Sequence, residues 1–188
     1  MKDFLSKIIA LDNIKQWEER DSVIKESVSQ HSFKVSALCV FLLEKIDHEK
    51  TPLDFTFFKV RCIEYSILHD FDESILGRDI SHTVKYNEFN GENIRIALSE
   101  FVNFTLQNLG LSDLFSKFED EDVKLFCKLC DWIALHSFII RNEVMGVSCF
   151  AKEKEYCLAN IQLKKIEVEK MLQSSFGIKV DMKSLIKL

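Results

Sequence analysis

The chain has 188 residues, of which 47% are hydrophobic and 29% charged, a composition typical of one soluble globular domain and unlike that of a disordered chain. Its formal net charge of −5 argues against a protein that binds nucleic-acid polymers by neutralising many phosphates, but is compatible with a small anionic substrate. Five glycines and one proline provide few turns, which favours long helices over a β-rich fold.

The hydrophobic pattern predicts about six main helices in a single bundle. The first helix is short, and a polar stretch that contains Trp17 separates it from the second. The third helix begins at Thr51-Pro52, because proline suits the first turn of a helix. An irregular, charge-rich segment follows it. The predicted helices cover approximately residues 4–11, 33–46, 53–68, 92–109, 119–144 and 150–172. No segment between them has the composition of an interdomain linker, so we expect one domain over residues 1–188.

The cysteines and the N-terminal segment indicate the compartment. Six cysteines lie within apolar runs, and the segment Met1–Leu5 does not begin an apolar signal sequence. No apolar stretch reaches the roughly 20 residues that a membrane-spanning helix needs. We therefore expect a cytoplasmic protein with buried, reduced thiols and no membrane partner. Cys127 and Cys130 have the spacing of half a zinc site, but no second Cys/His pair stands at a finger-like distance, which favours core packing.

Possible metal ligands occur at three places where helix packing alone would not favour them. His31 lies at the start of the second predicted helix, His69-Asp70 follows the apolar third helix, and Asp131 lies within the apolar run 125–135. A buried, unpaired carboxylate costs several kcal/mol, so Asp131 needs a cation, either a basic side chain or a metal ion. Two imidazoles and two carboxylates suit a divalent ion with open coordination positions. For each histidine taken alone, a structural role is the simpler alternative.

These residues, in this order, resemble the successive motifs of HD-domain 5′-deoxynucleotidases. The motifs are Lys25-Glu26-Ser27-Val28-Ser29-Gln30-His31-Ser32, His69-Asp70 with Glu73, Val84-Lys85-Tyr86, and Cys130-Asp131-Trp132-Ile133-Ala134. The resemblance spans about residues 14–170 and implies an all-α HD-domain bundle. It also implies a hydrolase that releases phosphate from deoxynucleoside monophosphates. Similar HD proteins, including viral ones, release triphosphate from deoxynucleoside triphosphates, and a degenerate module that binds a nucleotide or a partner without turnover is a further alternative.

The resemblance assigns a role to each of these residues. His31, His69, Asp70 and Asp131 would hold a divalent transition metal, and Co, Mn, Zn, Ni and Fe all suit such a site. Glu73 would join Asp70 in catalysis by orienting or deprotonating the attacking water, whereas a solvated surface glutamate is the alternative.

Three further residues would contact the nucleotide substrate. Lys85 would neutralise the transferring phosphoryl group, and Asp79 would face the sugar 3′-hydroxyl. Trp17 would stack on the base, or else hold its own loop by hydrophobic contacts. The resemblance also implies a homo-oligomer, a dimer or larger.

The sequence departs from the family pattern at two positions. Gln16 stands where the family has a phosphate-binding arginine, and Gln30 stands where it has a glutamate next to the first metal ligand. Another basic residue could supply the missing charge at the phosphate. The candidates are Lys15, Arg20, Lys25 and Arg78.

Overall fold

The computed structural model describes residues 2–18, 20–46, 52–79 and 91–187, and most of these residues are helical. Six of the helices have seven residues or more, and the described ranges contain no β-strand, only an isolated bridge between Lys15 and Ser27. The predicted all-α bundle is therefore confirmed. The helices are α1 (Lys2–Ala10), α2 (Val28–Ile46), α3 (Leu53–Leu68), α4 (Phe71–Leu76), α5 (Gly91–Asn108), α6 (Ser112–Ser116), α7 (Glu121–Val144), α8 (Ala151–Phe176) and α9 (Met182–Leu185), with a 3₁₀ turn at Lys117–Glu119.

Helix α3 has the predicted bounds, but α2 begins five residues earlier than predicted. The reason is a reciprocal capping box. The Ser27 hydroxyl accepts the Gln30 amide N–H at 3.3 Å, and the Gln30 side-chain carbonyl accepts the Ser27 N–H at 2.9 Å. Two of the orphan N–H groups of the helix start are thereby satisfied. His31 consequently lies one turn inside the helix instead of at its start.

Two clusters of buried side chains organise the bundle. The main core lies between α2, α3, α7 and α8, and its centre contains the fully buried Phe55, Phe58 and Phe126. A smaller cluster around Phe71 joins α1, α4 and α5. The segment between α3 and α4 therefore connects the two clusters, and this connecting segment is His69-Asp70. The ends of these packed helices fix the backbone on both sides of that dipeptide.

The thiols agree with core packing, with one exception. Five of the six cysteines are buried and unpaired, whereas Cys149 is exposed, contrary to the expectation of buried thiols throughout. Cys127 and Cys130 both lie in the main core. Across the described ranges, the side chains grouped closely enough to hold a metal include no cysteine. In the same ranges, every helix is too short or too polar to cross a membrane.

Candidate metal centre

Three of the predicted ligands converge from three different helices. His31 projects from α2, His69 follows the last residue of α3, and Asp131 lies in the middle of α7. One ligand atom from each of them lies within 4.8 Å of the other two. The imidazole rings of the two histidines have centroids 5.7 Å apart. Residues separated by up to 100 positions in sequence thus form one compact group of nitrogen and oxygen donors.

His31 is buried and is held on both sides by carboxylates. Its Nε2 atom lies 2.9 Å from Oδ1 of Asp131, and its Nδ1 atom lies 3.7 Å from Oε1 of Glu26. The second oxygen of Asp131 accepts a hydrogen bond from the Lys128 ammonium at 2.5 Å. The Asp131 side chain is 17% exposed, so it is less buried than the sequence predicts. The required cation is present as Lys128 together with the imidazole.

His69 presents one ring nitrogen without a hydrogen-bonding partner. Its Nδ1 atom lies 2.9 Å from the Ser66 carbonyl oxygen, which can only accept, so Nδ1 carries the hydrogen. The buried Nε2 atom lies 3.0 Å from Oδ2 of Asp70, but no hydrogen bond of suitable geometry reaches it. In the neutral ring this nitrogen offers a lone pair toward Asp70. An imidazole fixed in this way, beside carboxylate oxygens, fits a divalent transition metal.

The charges of the centre stabilise one another against the cost of burial. Burial alone would lower the pKa of His31, but the neighbouring carboxylates of Asp131 and Glu26 outweigh it and raise that pKa to about 10. Burial would raise the pKa of Asp131, yet Lys128 and His31 hold it well below its usual range. Asp70 behaves likewise, because His69 lowers its pKa against the effect of burial. A metal ion bound here would displace protons from the imidazoles.

Glu73 is near His69 in sequence but belongs to a different helix from the one that His69 follows. Helix α3 ends at Leu68 and α4 begins at Phe71, so His69 and Glu73 do not share one continuous helix. Glu73 instead lies in the first turn of α4, where its N–H donates to the Asp70 carbonyl at 3.1 Å. Its side chain is only 3% exposed, which shows that the interpretation as a solvated surface glutamate is wrong.

The two described residues predicted to contact substrate touch each other. The Trp17 N–H donates to Oδ2 of Asp79 at 2.9 Å, and the Trp17 backbone has a φ of 56°. That left-handed conformation is rare for a bulky residue, and strain of this kind concentrates at functional sites. The Trp17 ring also packs edge-on against Phe150 at 5.9 Å, so it holds its loop against the core. Lys85, the third predicted contact, lies outside the described residues.

Gln16 faces the centre at the position where the resemblance implied an arginine. Its side-chain amide donates to Oδ2 of Asp70 at 3.5 Å, and its backbone N–H donates to the Glu26 carbonyl at 2.9 Å. The four basic residues proposed as substitutes engage other partners or face solvent. Lys15 binds the Asp12 carbonyl at 3.3 Å, Arg20 pairs with Glu153 at 2.5 Å, Lys25 binds the Arg20 carbonyl at 3.1 Å, and Arg78 is exposed.

Sequence reasoning missed two residues beside the ligands, Lys128 and Glu26. Lys128 precedes Asp131 by three positions on α7, a spacing that places both side chains on one helix face. That spacing could have identified it. Glu26 lies before the start of α2, and only the turn at the capping box brings its carboxylate toward His31.

Comparisons with known proteins identify the family of the chain and structures with a similar fold. The family model described as 5′-deoxynucleotidase YfbR-like matches residues 3–176. The crystal structure of the PH0347 protein from Pyrococcus horikoshii OT3 superposes with a TM-score of 0.66 at 16% identity, covering 93% of this chain and 95% of the other. A conserved hypothetical protein from Pyrococcus furiosus gives a TM-score of 0.61 at 20% identity, covering 87% and 98%. No curated protein matches the sequence significantly. At these identities the two structures show a shared fold.

Proposed function

The chain belongs to the YfbR-like 5′-deoxynucleotidase family, and on that basis we propose that it is a metal-dependent nucleotidase that releases phosphate from deoxynucleoside 5′-monophosphates. The family supports a nucleotide phosphohydrolase; the metal and the monophosphate substrate are our proposal. The observation that carries it is the convergence of His31, His69 and Asp131 within 4.8 Å, with Asp70 beside His69. Packing alone gives no reason to gather these polar side chains at one place in an apolar bundle.

The proposed reaction is the transfer of a phosphoryl group to water. A divalent ion held by the four residues would polarise a phosphate oxygen and make the attacking water more acidic. Glu73 accepts the proton of that water as its oxygen bonds to phosphorus. The bond between phosphorus and the 5′-oxygen breaks, and the leaving oxygen takes a proton from solvent, which gives the nucleoside and inorganic phosphate. The burial of Glu73 supports this role, because a buried carboxylate is a better base than a solvated one.

Lys128 is the basic residue best placed to bind the phosphate in the described part of the chain. Its ammonium reaches Asp131 at 2.5 Å, and its side chain is 53% exposed, so it lies at the boundary between the centre and solvent. The same ammonium lies 5.2 Å from the centroid of the Trp132 ring, which limits its freedom. We propose that Lys128 supplies the positive charge that Gln16 does not. Lys85 is the further candidate that the resemblance indicates.

The nucleoside end of the substrate is assigned to the contact between Trp17 and Asp79. One oxygen of Asp79 accepts the Trp17 N–H, and a carboxylate oxygen can accept more than one hydrogen bond, including one from a sugar hydroxyl. Trp17 follows Gln16 in the chain, and the Gln16 side chain contacts Asp70. These two residues therefore extend from the metal centre to the contact between Trp17 and Phe150. This arrangement would place a sugar between the phosphate and an aromatic side chain.

The proposed function is tested by measuring product release from a full set of nucleotides. The chain is first stripped of metal with a chelator, and Co, Mn, Zn, Ni or Fe is then added separately. We expect phosphate and a deoxynucleoside from at least one deoxynucleoside 5′-monophosphate. Asp131→Asn should abolish the release, whereas Asp122→Asn, a carboxylate of the same helix that pairs with Ser175, should not. Release of triphosphate alone would identify the triphosphohydrolase alternative.

A second candidate function, nucleotide binding without turnover, is favoured only by the Gln16 substitution. Metal and nucleotide binding by titration calorimetry, with no product from any nucleotide and any of the five metals, would establish it. Product from a single nucleotide would exclude it.

We also propose that the chain forms a homo-oligomer through the outer face of α3. Large apolar side chains recur along it at helical spacing, and each is half exposed or more. They are Leu53 at 73%, Phe57 at 59%, Val60 at 50% and Ile67 at 52%. Contiguous exposed apolar surface of this kind marks interaction sites. Light scattering should give at least a dimer, and Phe57→Glu should dissociate it. A monomeric wild type would exclude the proposal.

A further inference from the structure

Glu26 is a buried carboxylate that lies beside His31, one of the residues assigned to metal binding. Its side chain is 3% exposed, and one oxygen, Oε2, forms an ion pair with Lys34 on α2. The other oxygen, Oε1, is buried and lies 3.7 Å from Nδ1 of His31, with no hydrogen bond to any other group. A buried carboxylate oxygen without a bonded partner is costly, so its position requires an explanation.

The backbone around Glu26 fixes this position tightly. The Glu26 carbonyl accepts the Gln16 N–H at 2.9 Å, and the next residue, Ser27, caps α2 through its exchange with Gln30. Gln30 is therefore committed to the helix start. Its side chain is not available to His31, and Glu26 is the acidic group on the Nδ1 side of the ring.

We infer that Glu26 is a positioning residue for His31: its Oε1 faces Nδ1 at 3.7 Å, favours a hydrogen on that nitrogen, and so leaves Nε2 for the metal. Histidines that bind metals commonly donate their second ring nitrogen to a carboxylate or carbonyl oxygen, which fixes the tautomer and strengthens the ligand. His69 already has such a partner in the Ser66 carbonyl. Glu26 gives His31 the equivalent partner, with a full negative charge. Lys34 balances that charge in the buried environment.

This inference rests on the proposed metal site, and its test measures metal binding separately from turnover. Removal of a partner of this kind typically lowers metal affinity by about 10–100-fold. We expect Glu26→Ala to raise the Kd for Co²⁺ by about that factor and to change the visible absorption of the Co²⁺ form. Glu26→Gln keeps an acceptor oxygen without the charge, so it should restore the wild-type spectrum and part of the affinity.

The matched control is Glu143→Gln, which alters a carboxylate paired with Lys154 at 2.6 Å, 12 positions along α7 from Asp131. It should leave the Kd and the spectrum unchanged. If folded Glu26→Ala binds Co²⁺ like the wild type with an unchanged spectrum, the inference is wrong. If Glu26→Ala does not fold, Glu26→Gln decides: a wild-type Kd would refute the inference, and a higher Kd with a wild-type spectrum would support it. A wild type that binds no metal would instead refute the proposed function.

Discussion

Replacing Lys128 by methionine tests whether the charge lost at Gln16 has been supplied from α7. Methionine keeps most of the length and the apolar stem, and removes only the ammonium that lies 2.5 Å from Asp131. A charge-assisted hydrogen bond contributes about 1.5–3 kcal/mol, which corresponds to roughly a ten- to hundredfold change in affinity. Because the Lys128 side chain is 53% exposed, solvent screening favours the lower end. We therefore expect KM for the monophosphate to rise about tenfold.

The affinity for the metal should not fall in Lys128→Met, although KM for the substrate rises. This difference distinguishes a role in phosphate binding from a structural role. Lys128 binds one oxygen of Asp131, so its removal would leave that oxygen to the metal and remove a repelling positive charge. The Kd for the metal, measured by calorimetry, should stay the same or fall. Lys124→Met is the control, because Lys124 lies one turn earlier on α7 and pairs with Glu119 and Glu121. An unchanged KM in Lys128→Met, or an equal rise in Lys124→Met, would refute the reasoning.

The remaining predictions concern the ligands, the base, the phosphate position and the metal itself. His69→Ala should abolish hydrolysis and lower the bound metal measured by mass spectrometry, with helical circular dichroism unchanged; full metal content would contradict the assignment. Glu73→Gln should retain metal and KM but lose most of kcat, and loss of metal would make Glu73 a ligand. Gln16→Arg should change KM little in the otherwise wild-type chain, but it should lower the raised KM of Lys128→Met. The reason is that residue 16 lies beside Asp70, where an arginine could reach the phosphate. Chelation should abolish nucleotide binding as well as turnover, and calorimetric binding to the stripped chain would contradict this.

The fold was predictable because the apolar periodicity of this chain is strong and its turns are few. Helix α3 agrees with the prediction at both ends, since Pro52 marks its start and His69-Asp70 interrupts the apolar run. The start of α2 was missed for a specific reason. Its first turn is polar, because Ser27 and Gln30 serve as a reciprocal cap there, and a search for apolar spacing does not detect such a turn.

The ligands were predictable from residue type, whereas their partners were not. A carboxylate within an apolar run and a His-Asp pair at the end of one both stand out in the sequence. Asp131 and His69 could therefore be identified from sequence alone. Glu26 lies in a polar stretch where acidic residues are ordinary. The antiparallel bridge between Lys15 and Ser27, which has no periodic signal in the sequence, holds the Glu26 segment beside Gln16.

The charge balance of the centre explains why substrate binding and metal binding should be coupled. Four carboxylates are grouped here: Glu26, Asp70, Glu73 and Asp131. Their charge is balanced by Lys34, by Lys128 and by the imidazole of His31, whose pKa is raised to about 10. A divalent ion would displace the proton of that imidazole and take over its part of the balance. With the ion beside Asp131, Lys128 could turn toward the phosphate, which needs positive charge because these carboxylates repel it. The lysine that pairs with Asp131 is thus the group that the substrate would use, and its charge couples phosphate binding to metal binding.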